Sequence, residues 1–320
     1  MRILVTGGAG FIGSNFIRYI LNKYPDYKIV NLDKLTYAGN LENLRDVEDN
    51  KNYSFIKGDI CNKPLVKKII AKSDILVNFA ASTHVDRSIE DASAFIKTNV
   101  YGTYTLLEAA LNSKIKLFLQ ISTDEVYGSV LKGKSKENDA LMPNSPYAAS
   151  KAAGEHLVRS YCVTYKLPAI VTRSSNNFGP FQYPEKIIPL FITNLIEDKK
   201  VPLYGDGLNR RNWIFVLDNC SAVDTIIHKG KIGEVYNIGV SSEFPNIELT
   251  RRILRLMGKT EEYIKYVADR PGHDRRYALE CSKILNLGWR PKYSFEKAIR
   301  ITVTWYKNNR EWWERLKKAS

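Results

Sequence analysis

Arg2-Ile3-Leu4-Val5-Thr6-Gly7-Gly8-Ala9-Gly10-Phe11-Ile12-Gly13 decides the fold. Five residues of an apolar run meet three glycines spaced by three. Beyond them Phe16, Ile17, Ile20 and Leu21 keep helical spacing as far as Lys23. The spacing therefore predicts strand, tight turn and helix over 2–23, the context of a dinucleotide-binding fingerprint. The glycines read Gly-x-x-Gly-x-x-Gly. Gly7 permits the turn, Gly10 lets a pyrophosphate approach the backbone, and Gly13 lets the helix pack against the strand. The positive end of the helix dipole then faces the phosphates.

Working outward, a second strand over 27–32 delivers Asp33 twenty residues after Gly13. A carboxylate there accepts hydrogen bonds from an adenosine ribose and repels a 2′-phosphate, which favours NAD over NADP. Lys34 beside it tempers that preference. Another strand is expected at 53–57, followed by Gly58-Asp59-Ile60, where Asp59 is within reach of an adenine amino group or is an ordinary turn residue. The strand at 74–79 opens into Ala80-Ala81-Ser82-Thr83-His84-Val85-Asp86-Arg87-Ser88, small residues for a cofactor and polar ones for a substrate. A long helix at 92–112 and a strand at 116–121 continue the alternation. The fold class is thus α/β, a doubly wound, mostly parallel Rossmann-type sheet with a smaller α/β substrate domain, its chemistry at the carboxyl ends of the strands.

The chain has 320 residues, 44% hydrophobic and 26% charged, in the ordinary globular range. No apolar run reaches the roughly 18 residues of a membrane span, and the first strand runs straight into the glycine turn, so neither membrane contact nor a signal peptide is expected. The four cysteines are scattered without metal-type spacing. They read as reduced thiols in a cytoplasmic protein, with no metal. The net charge of +14 is spread along the chain, densest at 251–292, and no nucleic-acid-binding signature accompanies it. A solvated basic surface is the expectation, and no nucleic acid is expected as a partner.

Residues 121–151 supply acid/base groups. Ile121-Ser122-Thr123-Asp124-Glu125-Val126-Tyr127-Gly128 holds a hydroxyl and two adjacent carboxylates, and Tyr147 lies one helical turn before Lys151. An ammonium near the phenol is expected to lower its pKa from about 10 toward the range of a base. Tyr-x-x-x-Lys alone is weak, because it recurs at Tyr19/Lys23, Tyr24/Lys28, Tyr53/Lys57 and Tyr293/Lys297. Neighbours on a strand point to opposite faces, so both carboxylates serve one substrate only if the strand ends near Thr123.

The glycine turn, Ser122-Thr123 and Tyr147/Lys151 together resemble the extended short-chain dehydrogenase/reductase superfamily. Ser122-Thr-Asp-Glu-Val-Tyr-Gly128 is similar to the dTDP-glucose 4,6-dehydratases within it. So are 31–40, His84-Val-Asp-Arg-Ser-Ile89, Ser174-Ser-Asn-Asn-Phe-Gly-Pro180, Pro184-Glu-Lys186, Tyr236-Asn-Ile-Gly239 and 269–277. The resemblance implies catalysis by Thr123, Asp124, Glu125, Tyr147 and Lys151 on dTDP-glucose with NAD. Tyr147, aided by Thr123 and Lys151, takes the 4-hydroxyl proton while hydride leaves C4. Glu125 then removes the C5 hydrogen, Asp124 protonates the departing 6-hydroxyl, and hydride returns to C6. Epimerases of the superfamily need no carboxylate pair, so Asp124-Glu125 discriminates.

The resemblance also implies which residues hold the ligands. The cofactor would meet Gly7, Gly10, Phe11, Ile12, Gly13, Asp33, Lys34, Thr36, Asp59 and Ile60. Ala80, Ala81, Thr98, Tyr147, Lys151 and Asn177 would complete that wall. The substrate would meet Thr83, His84, Thr123 and Asn176, with Lys186 on a phosphate and Pro202 and Tyr204 flanking the base. Arg211 and Arg270 suit the diphosphate, because a guanidinium fork fits two oxygens at once. Asn237 and His273 join the same ligand. Residues 1–173 and 212–240 are expected to form the NAD domain, and 174–211 and 241–320 the nucleotide-sugar domain. A homodimer through helices near 92–112 and 146–165 is implied. The aromatic tail at 305–313 reads as packed helix. Open alternatives are another nucleotide-sugar enzyme of the superfamily (a UDP-sugar 4-epimerase, decarboxylase or 4,6-dehydratase) and a non-catalytic NAD-binding regulator of nucleic acid.

Overall fold

Seven parallel strands form the central sheet of the computed structural model, which describes residues 1–318. In chain order the strands are β1 (Arg2–Thr6), β2 (Lys28–Asp33), β3 (Tyr53–Lys57), β4 (Ile75–Asn78), β5 (Leu117–Thr123) and β6 (Ala169–Ser174). There follow β7 (Asn176–Phe178), β8 (Val201–Tyr204), β9 (Arg210–Phe215), β10 (Val235–Ile238), β11 (Glu243–Pro245) and β12 (Ile264–Val267). The central order is β10-β6-β5-β4-β1-β2-β3. The chain winds outward from β1 to β3, then returns to β4 on the other side of β1. Connections leaving β1 and β4 diverge there, and a crevice opens at the strands' carboxyl ends. β4 and β5 are buried along their whole length, as strands covered by helices on both faces must be.

The helix Phe11–Lys23 buries Phe16, Ile17, Ile20 and Leu21, the stripe its spacing predicts. Each contributes about 1.5–3 kcal/mol of apolar burial. The helix Pro146–Tyr165 starts with Pro146 in its first turn and the Ser145 side chain accepting the Ala148 N–H. Lys166, in the left-handed region at φ 57°, ends it.

Several elements differ from the sequence expectation. The 92–112 segment is helical but not uniform: Ile96–Gly102 is a π-helical stretch leading into the α-helix Thr103–Leu111. That is a change of hydrogen-bond register which apolar spacing does not report. The polar run after Ala81 contains a short helix, Val85–Glu90, with the His84 side chain accepting the Arg87 N–H at its start. β9 does not join the central sheet. It pairs with β7 and β11 in a separate three-stranded sheet, while β10 does rejoin the large one beside β6.

The C-terminal segment is helical over Phe295–Asn308 and Arg310–Lys318. It packs back on the cofactor side. Tyr306, Trp312 and Trp313 share one hydrophobic core with Ile3, Val5 and Phe16. Among the described residues no helix is long and apolar enough to cross a membrane.

Candidate active site

The crevice is a cleft of about 320 Å³ along the carboxyl ends of the central strands. Its near wall is the glycine turn. Gly7 sits at φ +69°, and a Cβ there would lie 2.6 Å from the Ala80 Cα. A Cβ on Gly13 would lie 2.4 Å from the Gly7 carbonyl oxygen. Only glycine fits either position. Gly10 caps the helix Phe11–Lys23 with no side chain of its own, so the helix N-terminus opens on the cleft. Asp33 lines the cleft and has a second task, because its carboxylate accepts the Ala9 and Leu35 N–H groups at 2.9 and 2.8 Å. Burial raises its pKa against those hydrogen bonds and one from the Lys34 N–H. Lys34 pairs with Asp59 at 2.8 Å, and both stand on the cleft wall. Phe11, Ile12, Thr36, Ile60, Ala80, Ala81 and Thr98 line it as well. These side chains suit a dinucleotide: a phosphate cradle, then a carboxylate for a ribose, then small residues under a flat ring.

The acid/base centre lies where β5 ends. The strand stops at Thr123 and the chain turns into a 3₁₀ helix over Asp124–Tyr127, closed by Gly128 at φ +72°. The alternation of a strand is therefore broken at the needed place, and Asp124 and Glu125 both line the cleft beside Tyr147 and Lys151. The Thr123 hydroxyl accepts the Glu125 N–H at 3.3 Å and is a hydrogen-bond partner of the Tyr147 phenol.

Burial, reinforced by the charge of Glu125, pushes Asp124 up to about 8. Burial also raises Glu125, but Arg270, Arg211 and Lys186 oppose that rise. The pair is thus unequal, with Asp124 the neutral acid near pH 7. Burial pushes Lys151 down to about 8, with Glu155 opposing. Tyr147 departs from the expectation. Burial and the charge of Glu125 raise its phenol above the ordinary value. The Lys151 ammonium donates to the Ile121 carbonyl at 2.6 Å rather than to the phenol.

The far wall comes from β7 and the turn before the helix Ile187–Ile196. Asn176, Asn177, Lys186 and Thr83 all line the cleft. Lys186 is the N-cap of that helix and donates to the Thr83 carbonyl at 3.1 Å. Among the described residues, Asp124 Oδ2, Asn176 Oδ1 and Asn177 Oδ1 are buried without a hydrogen-bond partner.

The other expected substrate residues lie apart from this wall. His84 caps its helix and approaches Glu185 at 3.7 Å. Arg211 is buried, donates to the Arg210 and Asp274 carbonyls at 2.8 Å each, and lies over the Tyr277 ring. Arg270 pairs with Asp86 at 3.5 Å. His273 binds Asp269 at 2.6 Å and meets the exposed Tyr204 ring edge-on. Pro202 pairs with Lys265 in the β8–β12 ladder. Asn237 does not line the cleft. Its side chain is fully buried, accepts from Tyr127 and donates to the Ser135 and Glu280 carbonyls, so both of its amide hydrogens are engaged.

Residues outside the sequence candidates also line or brace the site, Glu185, Asn99 and Glu155 among them. Glu185 lines the cleft and accepts from Arg87 at 3.2 Å; the only signal was its place beside Lys186. Asn99, in the π-helical stretch, ties both backbone groups of Ser82 to the Ser150 hydroxyl. Glu155, four residues after Lys151 on the same helix face, forms a buried ion pair with Arg173 at 2.7 Å. Its i+4 spacing from the lysine was available to find it.

A family model described as GDP-mannose 4,6 dehydratase matches residues 4–302. The chain is 49% identical to a dTDP-glucose 4,6-dehydratase of Streptomyces niveus, over 99% of this chain and 96% of the relative. It is 52% identical to the low-salt glycan biosynthesis protein Agl12 of Haloferax volcanii, over 96% of this chain and 98% of that one. The crystal structure of DesIV, a dTDP-glucose 4,6-dehydratase of Streptomyces venezuelae with NAD bound, superposes with a TM-score of 0.97 at 48% identity. That match covers 99% of this chain and 100% of the other. On this ground, with the glycine turn and the Thr123–Lys151 centre in one cleft, the chain belongs to the GDP-mannose 4,6 dehydratase family of the extended short-chain dehydrogenase/reductase superfamily.

Proposed function

We propose that the protein is an NAD-dependent lyase that converts dTDP-glucose to dTDP-4-keto-6-deoxyglucose and water. One observation carries the reading beyond sugar oxidation and reduction in general: Asp124 and Glu125 open on the same cleft as Tyr147 and Lys151. The dTDP-glucose 4,6-dehydratases among the relatives, near half identical over almost the whole chain, support dTDP-glucose as the substrate.

The glycine turn, Asp33, Lys151 and Asn177 would hold the cofactor. NAD, when bound, supplies a hydride acceptor for C4 of the sugar and a donor for C6. Tyr147 takes the 4-hydroxyl proton, with the Thr123 hydroxyl bonded to its oxygen and favouring the phenolate. The resulting ketone acidifies the hydrogen at C5. Glu125, its rise opposed by three cations, serves as the base that removes it. Asp124, with a pKa near 8, still holds its proton at neutral pH and gives it to the departing 6-hydroxyl. In this reading Lys186, Asn176 and Thr83 meet the sugar, and Arg270 and Arg211 set the field of the diphosphate end.

The chain works as a cytoplasmic homodimer in this reading. Ile96, Tyr101, Val163 and Tyr165 are exposed apolar residues on the two helical segments expected at the contact, and the cysteines are free thiols. Incubation with a panel of nucleotide sugars, followed by mass spectrometry, tests the function. A product lighter by one water from dTDP-glucose is expected. An unchanged mass under turnover conditions overturns the reading. Sedimentation at equilibrium tests the dimer, which predicts twice the chain mass.

A further inference from the structure

The C-terminal helices reach across the fold to the cofactor cleft through two buried relays. The first begins at Trp312, whose indole N–H donates to Asn43 Oδ1 at 2.9 Å. The Asn43 amide in turn donates to the Ala9 carbonyl at 2.9 Å. An indole can only donate and a carbonyl can only accept, so only one orientation of the Asn43 amide satisfies both partners. Ala9 sits between Gly7 and Gly10 in the phosphate-binding turn. Its N–H is held by Asp33, and its carbonyl by Asn43 and by the Asn40 N–H. The peptide planes of the turn are therefore fixed from both ends.

The second relay runs to the opposite wall. The Tyr306 hydroxyl donates to the Gln182 carbonyl, and the Gln182 side chain donates to the Asn177 carbonyl at 3.0 Å. Asn177 and Gln182 both line the cleft. Tyr306 and Trp312 pack on one another as ring neighbours, so one aromatic cluster anchors both relays.

We propose that Trp312 and Tyr306 are positioning residues for the cofactor, Trp312 setting the glycine turn through Asn43 and Tyr306 setting the far wall through Gln182. The proposal rests on the reading that this cleft holds NAD. Neither aromatic residue lines the cleft. Each keeps a backbone carbonyl or a buried amide satisfied, and through it the geometry of residues that do.

Trp312→Phe tests the first relay because it keeps an aromatic ring in the core and removes only the N–H. Asn43 Oδ1 then lacks its donor, and the amide no longer has one preferred orientation. NAD affinity, measured by calorimetry on protein freed of bound cofactor, is expected to fall roughly fivefold to tenfold. Steady-state KM for NAD should rise by a similar factor, with kcat at saturating NAD within about twofold. In an Asn43→Ala background the same change should add nothing, because the relay is already cut. Tyr306→Phe should weaken NAD binding independently, and its effect should add to that of Trp312→Phe.

Unchanged NAD affinity in Trp312→Phe with a lowered melting temperature overturns the proposal and leaves Trp312 a packing residue. An equal loss in the wild-type and Asn43→Ala backgrounds overturns the route through Asn43. Absence of NAD binding by the unaltered protein overturns the cofactor reading itself, and this proposal with it.

Discussion

The Thr123 hydroxyl accepts the backbone N–H of Glu125 at 3.3 Å, and this contact marks where β5 gives way to a 3₁₀ turn. Had the strand continued, Asp124 and Glu125 would face opposite sides of the sheet. Because it stops, two adjacent carboxylates share one cleft with Tyr147. Their unequal surroundings then separate their tasks.

Asp124 titrates near 8, so the acid-catalysed loss of water should weaken as the pH rises through that value. A pH profile of kcat should fall on the alkaline side. Asp124→Asn should lower kcat by about 10²–10⁴. The stability prediction has the opposite sense to that of a salt-bridged acid. The folded state binds the Asp124 proton more tightly than the unfolded chain, so its contribution is full below the ordinary value of 3.8 and is lost as the pH rises toward 8. Melting temperatures of Asp124→Asn should therefore decline less than those of the parent across that window.

Tyr147→Phe removes the base that takes the 4-hydroxyl proton while keeping the buried ring against Phe95. The change should cost about 10³ in kcat. NAD should still bind, and mixing with dTDP-glucose should no longer produce the near-ultraviolet absorbance of reduced nicotinamide.

Gly7→Ala forces a Cβ to within 2.6 Å of the Ala80 backbone at a positive φ. A destabilisation of about 1–3 kcal/mol is expected, together with loss of cofactor binding. Chemical denaturation and calorimetry measure the two effects separately.

Arg173 and Glu155 form a buried pair, with side chains 6% and 4% exposed. Arg173→Leu leaves an uncompensated carboxylate and should cost about 3–5 kcal/mol in urea denaturation. The double change to Leu at both positions should recover part of that loss, since both charges of the pair are then gone, although buried Lys151 loses the Glu155 carboxylate.

What the sequence revealed was local. Gly7, Gly10 and Gly13 are dictated by turn geometry within seven residues, and Asp33 follows from its distance to the turn. The wall residues carried by resemblance, such as Thr36 and Thr98, stand on the cleft because the fold repeats with the motif. The condition on Thr123 could be stated in advance but not its outcome, which depends on a side chain capping its own turn. Other features are contacts between distant segments. Asn43 and Trp312 are 269 residues apart, and nothing in the spacing of either announces the other. Tyr147 shows the limit of a four-residue spacing: Lys151 shares its helix face, yet the ammonium turns to the Ile121 carbonyl, while burial, and after it the charge of Glu125, raises the phenol. Asn237 sits in a recognisable motif whose buried contacts at β10 were not encoded in the motif itself.

The separation of oxidation from water loss is the centre of this account, and the double variant Asp124→Asn/Glu125→Gln tests it directly. Single-turnover mixing with dTDP-glucose, followed by absorbance and by mass spectrometry, reads both steps. Reduced nicotinamide should form while no product lighter by one water appears. Failure to reduce NAD, or continued release of the dehydrated sugar, would contradict the assignment of the pair.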